Sequence, residues 1–146
     1  MIGLRNPGHT VAKLLAPLRC GPTLRVVNHT HPEYADVLAE FIGATHANAL
    51  LMRGTEGEPA ADPRRLPRLD VFIAGQLRAD LSLPAQTGVL TGLPVLPRSI
   101  DAPTTAVYIQ SVVSGETPAP APLTQQVECL VHALAASVPL LAEHSA

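Results

Sequence analysis

The sequence predicts an α/β domain: a partial parallel sheet with a βαβ crossover and flanking helices. Three observations carry this. A β-branched run at 24–28, an amphipathic run at 34–42 and a wholly apolar run at 49–52 follow one another at crossover length. Helix start and stop signals recur after residue 100. The 47% apolar content of the 146 residues supplies a core for one domain, residues 1–146, and leaves too little chain for two.

The elements follow in order. Thr10 to Leu15 reads as a short helix, with Val11, Leu14 and Leu15 on one side and Lys13 on the other. Leu24-Arg25-Val26-Val27-Asn28 is a strand. Thr30-His31-Pro32-Glu33 matches a capping box with proline in the first turn. The helix it opens repeats Tyr34, Val37, Leu38, Phe41 and Ile42, and Gly43 is its expected stop. Ala49-Leu50-Leu51-Met52 is apolar on both sides, as a strand buried on both faces must be. Leu69–Ile73 is a third strand. Asp101 caps a helix through Val107, Ile109 and Val113 that ends at Gly115. A last helix, about Leu123 to Ala136, aligns Val127, Leu130, Val131 and Leu134 in one stripe, expected to face the core.

Proline sets the connections. The chain holds 15 prolines, about twice the usual ~5%. They concentrate in 54–68, 84–103 and 115–122, which are expected to be loops because proline breaks both helix and ladder. No internal repeat is present.

Composition narrows the function classes. A net charge of −2 gives no general attraction to nucleic acid or to an anionic membrane. Four aromatics (Tyr34, Phe41, Phe72, Tyr108) are too few for a base-stacking platform. No apolar run reaches the ~20 residues of a membrane span, and no charged-then-apolar leader opens the sequence. Cys20 and Cys129 lie far apart, which reads as buried free thiols in a reducing compartment. A cytoplasmic domain is expected.

Four groups of residues can carry chemistry. His29 and His31 alternate on an extended segment, where both rings point to one side; a metal needs further ligands, and His31 also belongs to the capping box. Arg53-Gly54-Thr55-Glu56-Gly57-Glu58 leaves the carboxyl end of a buried strand, the place where open α/β sheets bind ligands. Its glycines permit close backbone approach, and Glu56 with Glu58 would suit a hard cation such as Mg²⁺; a solvated polar loop is the competing reading. Arg5, His9 and Lys13 gather near a helix start, either as an anion site or as ordinary surface residues at a cap. Arg64, Arg65 and Arg68 form a small basic cluster, solvated by default and able to touch phosphates.

These same residues resemble a known family. Ile2-Gly3-Leu4-Arg5 is similar to the Leu-Gly-x-Arg of anthranilate phosphoribosyltransferases, with Ala16-Pro17-Leu18 ending the matching stretch. His31-Pro32-Glu33-Tyr34 and Ala49 to Glu58 resemble the next block. The forms Arg5-Asn6-x-x-His9-Thr10-x-x-Lys13 and Arg53-Gly54-Thr55-Glu56-Gly57-Glu58 are similar to the YbiB-type branch of glycosyltransferase family 3. The resemblance runs through Asp101-Ala102-Pro103-Thr104-Thr105 to about Ala136 and covers the C-terminal portion of the family's α/β domain.

The resemblance implies pentosyl transfer from phosphoribosyl pyrophosphate with Mg²⁺, chemistry that rests on placement and leaving-group neutralisation. It implies an acceptor-substrate contact from Arg5 and metal contacts from Glu56 and Glu58; His9 and Lys13 follow the YbiB-type pattern rather than that of the enzymes, and with Arg53, Gly54 and Thr55 they complete the set of candidate substrate contacts. The sequence departs from the enzymes in two respects. It has no Gly-Thr-Gly-Gly-Asp-like phosphate loop, and Gly57 splits the family's adjacent acidic pair. The expected consequence is a truncated domain inactive by itself. The alternative is the YbiB-type role, DNA or RNA binding on the same fold through Arg5, Lys13 and the 64–68 arginines. A partial sheet with exposed apolar faces is also expected to self-associate, for instance as a homodimer.

Overall fold

The structure is a computed structural model that describes residues 11–12, 14–16, 21–55 and 57–138. Its core is an open four-stranded sheet in the order β1 (Arg25–His29), β2 (Ala49–Arg53), β3 (Leu69–Ile73), β4 (Gln76–Leu77). Helix α1 (Tyr34–Ala44) crosses from β1 to β2, which pair in parallel from Arg25↔Ala49 to His29↔Arg53. This is the expected βαβ unit, and the domain is α/β.

The rest of the sheet is antiparallel. β3 pairs antiparallel with β2 and β4 with β3. The described residues of the 54–68 connection hold no helix that would carry the chain back to the starting end of the sheet, so β3 returns beside β2 in the opposite sense. The β3–β4 turn is two residues, Ala74 and Gly75, both at positive φ (50° and 79°), the geometry that matches strand twist. Its backbone is held against the α1–β2 corner: the Gly75 N–H donates to the Ala47 carbonyl and the Ala74 N–H to Asn48 Oδ1.

Strand alternation divides the core into two layers. Val27, Ala49, Leu51 and Phe72 face α1 and pack with its Leu38 and Ile42. Leu50, Met52, Leu69, Val71 and Ile73 face the other way, onto Cys129 and Ala133 of helix α3 (Ala121–Ser137). β2 is buried on both faces from Ala49 to Met52, as expected for a central strand. Helix α2 (Ala102–Val113) buries no residue of its own.

Three local expectations are corrected. The capping box does not form: α1 begins at Tyr34 with Glu33 at its N-cap and no side-chain cap. The chain enters through 31–34 and 32–35 turns, where the Tyr34 and Ala35 N–H groups bond to His31 and Pro32 carbonyls, which leaves Thr30 outside the helix. Gly43 does not stop α1 either; the helix runs to Ala44, and His46 takes the left-handed conformation (φ 48°). The third correction is larger. Pro122, Gln126, Cys129, Ala133 and Ser137 form the buried face of α3, while Val127, Val131 and Leu134 are exposed and Leu130 is half-buried. Small side chains let α3 lie close on β3, so the large apolar stripe turns outward.

Two helix limits follow the sequence. Asp101 caps α2, accepting from the Thr104 N–H at 2.8 Å and the Thr104 hydroxyl at 2.8 Å. Gly115, at φ 84°, lies just past its end. The early helix is described only at Val11–Ala12 and the turn at Leu14.

Candidate functional site

A cleft of about 850 Å³ opens beside the carboxyl ends of β1 and β2. Its shape follows from coverage. α1 packs chiefly on β1 and β2, and beyond it Leu51, Asp70, Phe72 and Leu77 floor the cleft. Pro32, in the turn entering α1, and Ala35, Asp36 and Ala39 of α1 make one wall. Residues 62–68 and 85–89 make the other, joined by Gln86 N–H to Leu66 carbonyl and Leu90 N–H to Arg64 carbonyl bonds. Arg53, Gly54, Thr55 and His29 stand at the strand ends.

The 53–58 motif folds as a tight turn. The Glu58 N–H donates to the Thr55 carbonyl at 2.9 Å, with Gly57 third in the turn at φ +90°. Asn28, 7% exposed at the end of β1, donates from Nδ2 to the Gly57 carbonyl at 2.7 Å. Gly54 sits where a Cβ would collide with the Glu58 carbonyl and the Asn28 amide, so no other residue fits without moving the turn. Beyond the turn, Gln126 of α3 holds the chain with both ends of its amide. It accepts from the Ala61 N–H at 2.9 Å and donates to the Pro59 carbonyl at 2.8 Å.

Charge in the cleft is partly neutralised. Arg64 pairs with Asp62 (3.0 Å) and Arg68 with Asp70 (2.8 Å). The Arg64 hydrogen bond holds the Asp62 carboxyl below its usual range against the opposing effect of burial. Arg53 and Arg65 form no ion pair among the described residues, although the Arg65 charge also helps hold the Asp62 carboxyl down. Asp36 faces the cleft from α1 with no ion pair among the described residues.

The structure thus brings Arg53, Gly54, Thr55 and the 64–68 arginines to one cleft. Arg5, His9, Lys13 and Glu56 lie outside the described residues. Glu58 is exposed on the turn, and among the described residues no group of three or more histidine, cysteine, aspartate or glutamate side chains gathers to hold a metal. With Asp62 and Asp70 engaged by arginines, the described carboxylates do not compose a Mg²⁺ site. The two histidines have separate partners: His29 Nδ1–H donates to the His31 carbonyl (3.0 Å), and the His31 ring meets Tyr34 edge-on. Cys129 is a buried free thiol, its pKa raised by desolvation; Cys20 lies outside the described residues.

Asn28, Asp36 and Gln126 were not among the residues the motifs singled out. Asn28 directly follows the apolar pair Val26-Val27 in β1, and Gln126 shares a helical face with Cys129 and Ala133; both are polar residues at core positions, a signal available in the sequence.

No protein-family model matches the chain. Over 128 residues it is 36% identical to the uncharacterized protein YbiB of Escherichia coli (strain K12). The match takes in 88% of this chain and 39% of that protein, so the chain spans about two fifths of the length of this relative. Among the described residues no helix is long and apolar enough to cross a membrane.

Proposed function

We propose that the cleft binds a compact phosphorylated sugar of the phosphoribosyl pyrophosphate class, and that the chain is a phosphoribosyltransferase-like domain that does not complete the transfer alone. The carrying observation is that Arg53 and Arg65, neither in an ion pair among the described residues, line one cleft with Asp36. Guanidinium groups recognise phosphate oxygens, and a carboxylate accepts from sugar hydroxyls. The volume of about 850 Å³ suits a ligand of that size. The family resemblance of the 53–58 motif supports the same ligand class. Incompetence for transfer by this chain alone rests on the sequence, which has no Gly-Thr-Gly-Gly-Asp-like phosphate loop. Mg²⁺, if carried, would arrive with the pyrophosphate of the ligand. A buried free thiol at Cys129 suits a cytoplasmic location.

A nucleic-acid reading has one observation in its favour: four arginines, at 53, 64, 65 and 68, line the same cleft. Asp62 and Asp70 cancel two of them, which weakens the field a polyanion would need and favours the compact ligand. Isothermal titration separates the two. Saturable heat with phosphoribosyl pyrophosphate and Mg²⁺, lost in Arg53→Ala, is expected. Heat only with a single-stranded oligonucleotide, falling steeply between two salt concentrations, would replace this reading with the second.

A further inference from the structure

Gln126 lies on a different element from every group that lines the cleft, 65 residues from the backbone it holds. We infer that it is the latch of the cleft wall: a positioning residue that sets the site's affinity by fixing residues 59–61. The inference rests on the reading that the cleft takes a phosphorylated ligand.

The chemistry of the latch is specific. Gln126 is 7% exposed and Ala61 is 3% exposed, so the bond between them is shielded from water. Pro59 has no N–H and offers only its carbonyl, while Ala61 offers its N–H. A primary amide answers both, with an acceptor for Ala61 and a donor for Pro59, in the manner of a short rung of sheet. One residue further on, Asp62 begins the cleft wall. Its carboxylate binds the Arg64 N–H and guanidinium, and its carbonyl accepts from the Arg65 N–H. The latch therefore sits immediately upstream of the turn that presents Arg64 and Arg65. Asn28 performs the corresponding service on the near side by holding Gly57. With the latch closed, the wall is ordered before a ligand arrives, and binding carries less ordering cost.

Gln126→Glu makes the latch titratable. A protonated carboxyl can still donate to Pro59 and accept from Ala61; a carboxylate faces the Pro59 carbonyl with no donor and is penalised by burial. No counter-charge bonds to it: its hydrogen-bond partners are the Pro59 carbonyl and the Ala61 N–H, and of the ionisable groups on α3, Glu128 and His132 are exposed while Cys129, on the buried face, is a free thiol that burial keeps neutral. Neutral glutamate closes the latch at low pH, and ionisation opens it as pH rises.

The test measures two readouts from pH 5 to 8, each as a ratio to wild type at the same pH: hydrogen exchange of the Ala61 amide without ligand, and the Kd for phosphoribosyl pyrophosphate with Mg²⁺. For Gln126→Glu we expect near-wild-type values at the acid end, then loss of Ala61 protection and about tenfold weaker binding at the alkaline end. Gln126→Met, similar in volume and without hydrogen bonds, should be loosened equally at every pH. Circular dichroism confirms that each variant keeps its helices. A Gln126→Glu ratio flat with pH, or binding unchanged in Gln126→Met, overturns the latch. Wild-type protein that leaves the probe unbound overturns the ligand reading instead, and the Ala61 exchange then decides the latch by itself.

Discussion

The Asn28 side chain spans from the end of β1 to the Gly57 carbonyl, 2.7 Å away, and Gly54 is packed beneath that bond. The turn that leaves β2 is thus fixed by its neighbouring strand as well as by its own Thr55–Glu58 hydrogen bond. The arrangement places an oversize penalty at a single position. Gly54→Ala inserts a methyl group where the Glu58 carbonyl and Asn28 amide already lie. The expected cost is at least ~2 kcal/mol, since overpacking and a broken buried hydrogen bond act together. Urea unfolding followed by circular dichroism measures it; a midpoint equal to that of wild type would show that the turn yields freely.

Arg53 and Arg64 both line the cleft, yet they should respond differently to removal. Arg53 is exposed and has no ion pair among the described residues, so Arg53→Ala should leave thermal stability nearly unchanged while weakening binding of a phosphorylated sugar about tenfold. Arg64 is bound to Asp62 through Nε and Nη2. Arg64→Ala releases a carboxylate into the cleft as well as losing a cation. Its binding defect should therefore diminish in the double variant Arg64→Ala, Asp62→Asn, while the Arg53→Ala defect should not. Titration calorimetry on the four proteins distinguishes these outcomes.

The crossover was legible because its signals are local: a β-branched run, a helical repeat and an apolar run, each of adequate length. Two features were not. The direction of β3 depends on what the described residues of the 54–68 connection lack, a helix, rather than on anything within Leu69–Ile73 itself. The buried face of α3 is chosen by how closely it lies on β3, which favours Cys129 and Ala133 over the bulkier Val127 and Val131. Periodicity alone cannot weigh close approach against side-chain size. In the site, Arg53, Gly54 and Thr55 were found because a motif places them at a strand end. Asn28 and Gln126 were missed because each acts on backbone distant in sequence, 29 and 65 residues away.

Acid should loosen α2 first at its start. Hydrogen bonds from Ser99 and then Thr104 bring the Asp101 carboxyl to about 2, below its ordinary 3.8. A lowered folded-state pKa gives stabilisation that is complete above the unfolded value and disappears as pH falls toward the folded one. The cap should therefore hold above about pH 4 and be lost as pH drops toward 2. Amide exchange at Thr104 and Thr105 should rise in that window, relative to the intrinsic rate. Asp101→Asn retains a capping oxygen and should remove most of the pH dependence; equal sensitivity in both proteins would place the acid response elsewhere.

The outward faces of α2 and α3 predict how this chain behaves in solution. α2 contains no charged residue, and Val107, Ile109 and Val113 are each more than half exposed. α3 carries a single carboxylate, Glu128, beside exposed Val127, Val131 and Leu134. A helix facing water ordinarily bears charge on that face. Exposed apolar surface drives association, because each Val, Ile or Leu side chain that leaves water gains about 1.5–3 kcal/mol. Light scattering should therefore report a mass that rises with concentration from that of one chain. Val131→Glu should lower it, and adding Val107→Glu should lower it further, with helix content maintained because neither residue contributes to the core. A concentration-independent single-chain mass in wild type would mean that these faces tolerate water without a partner.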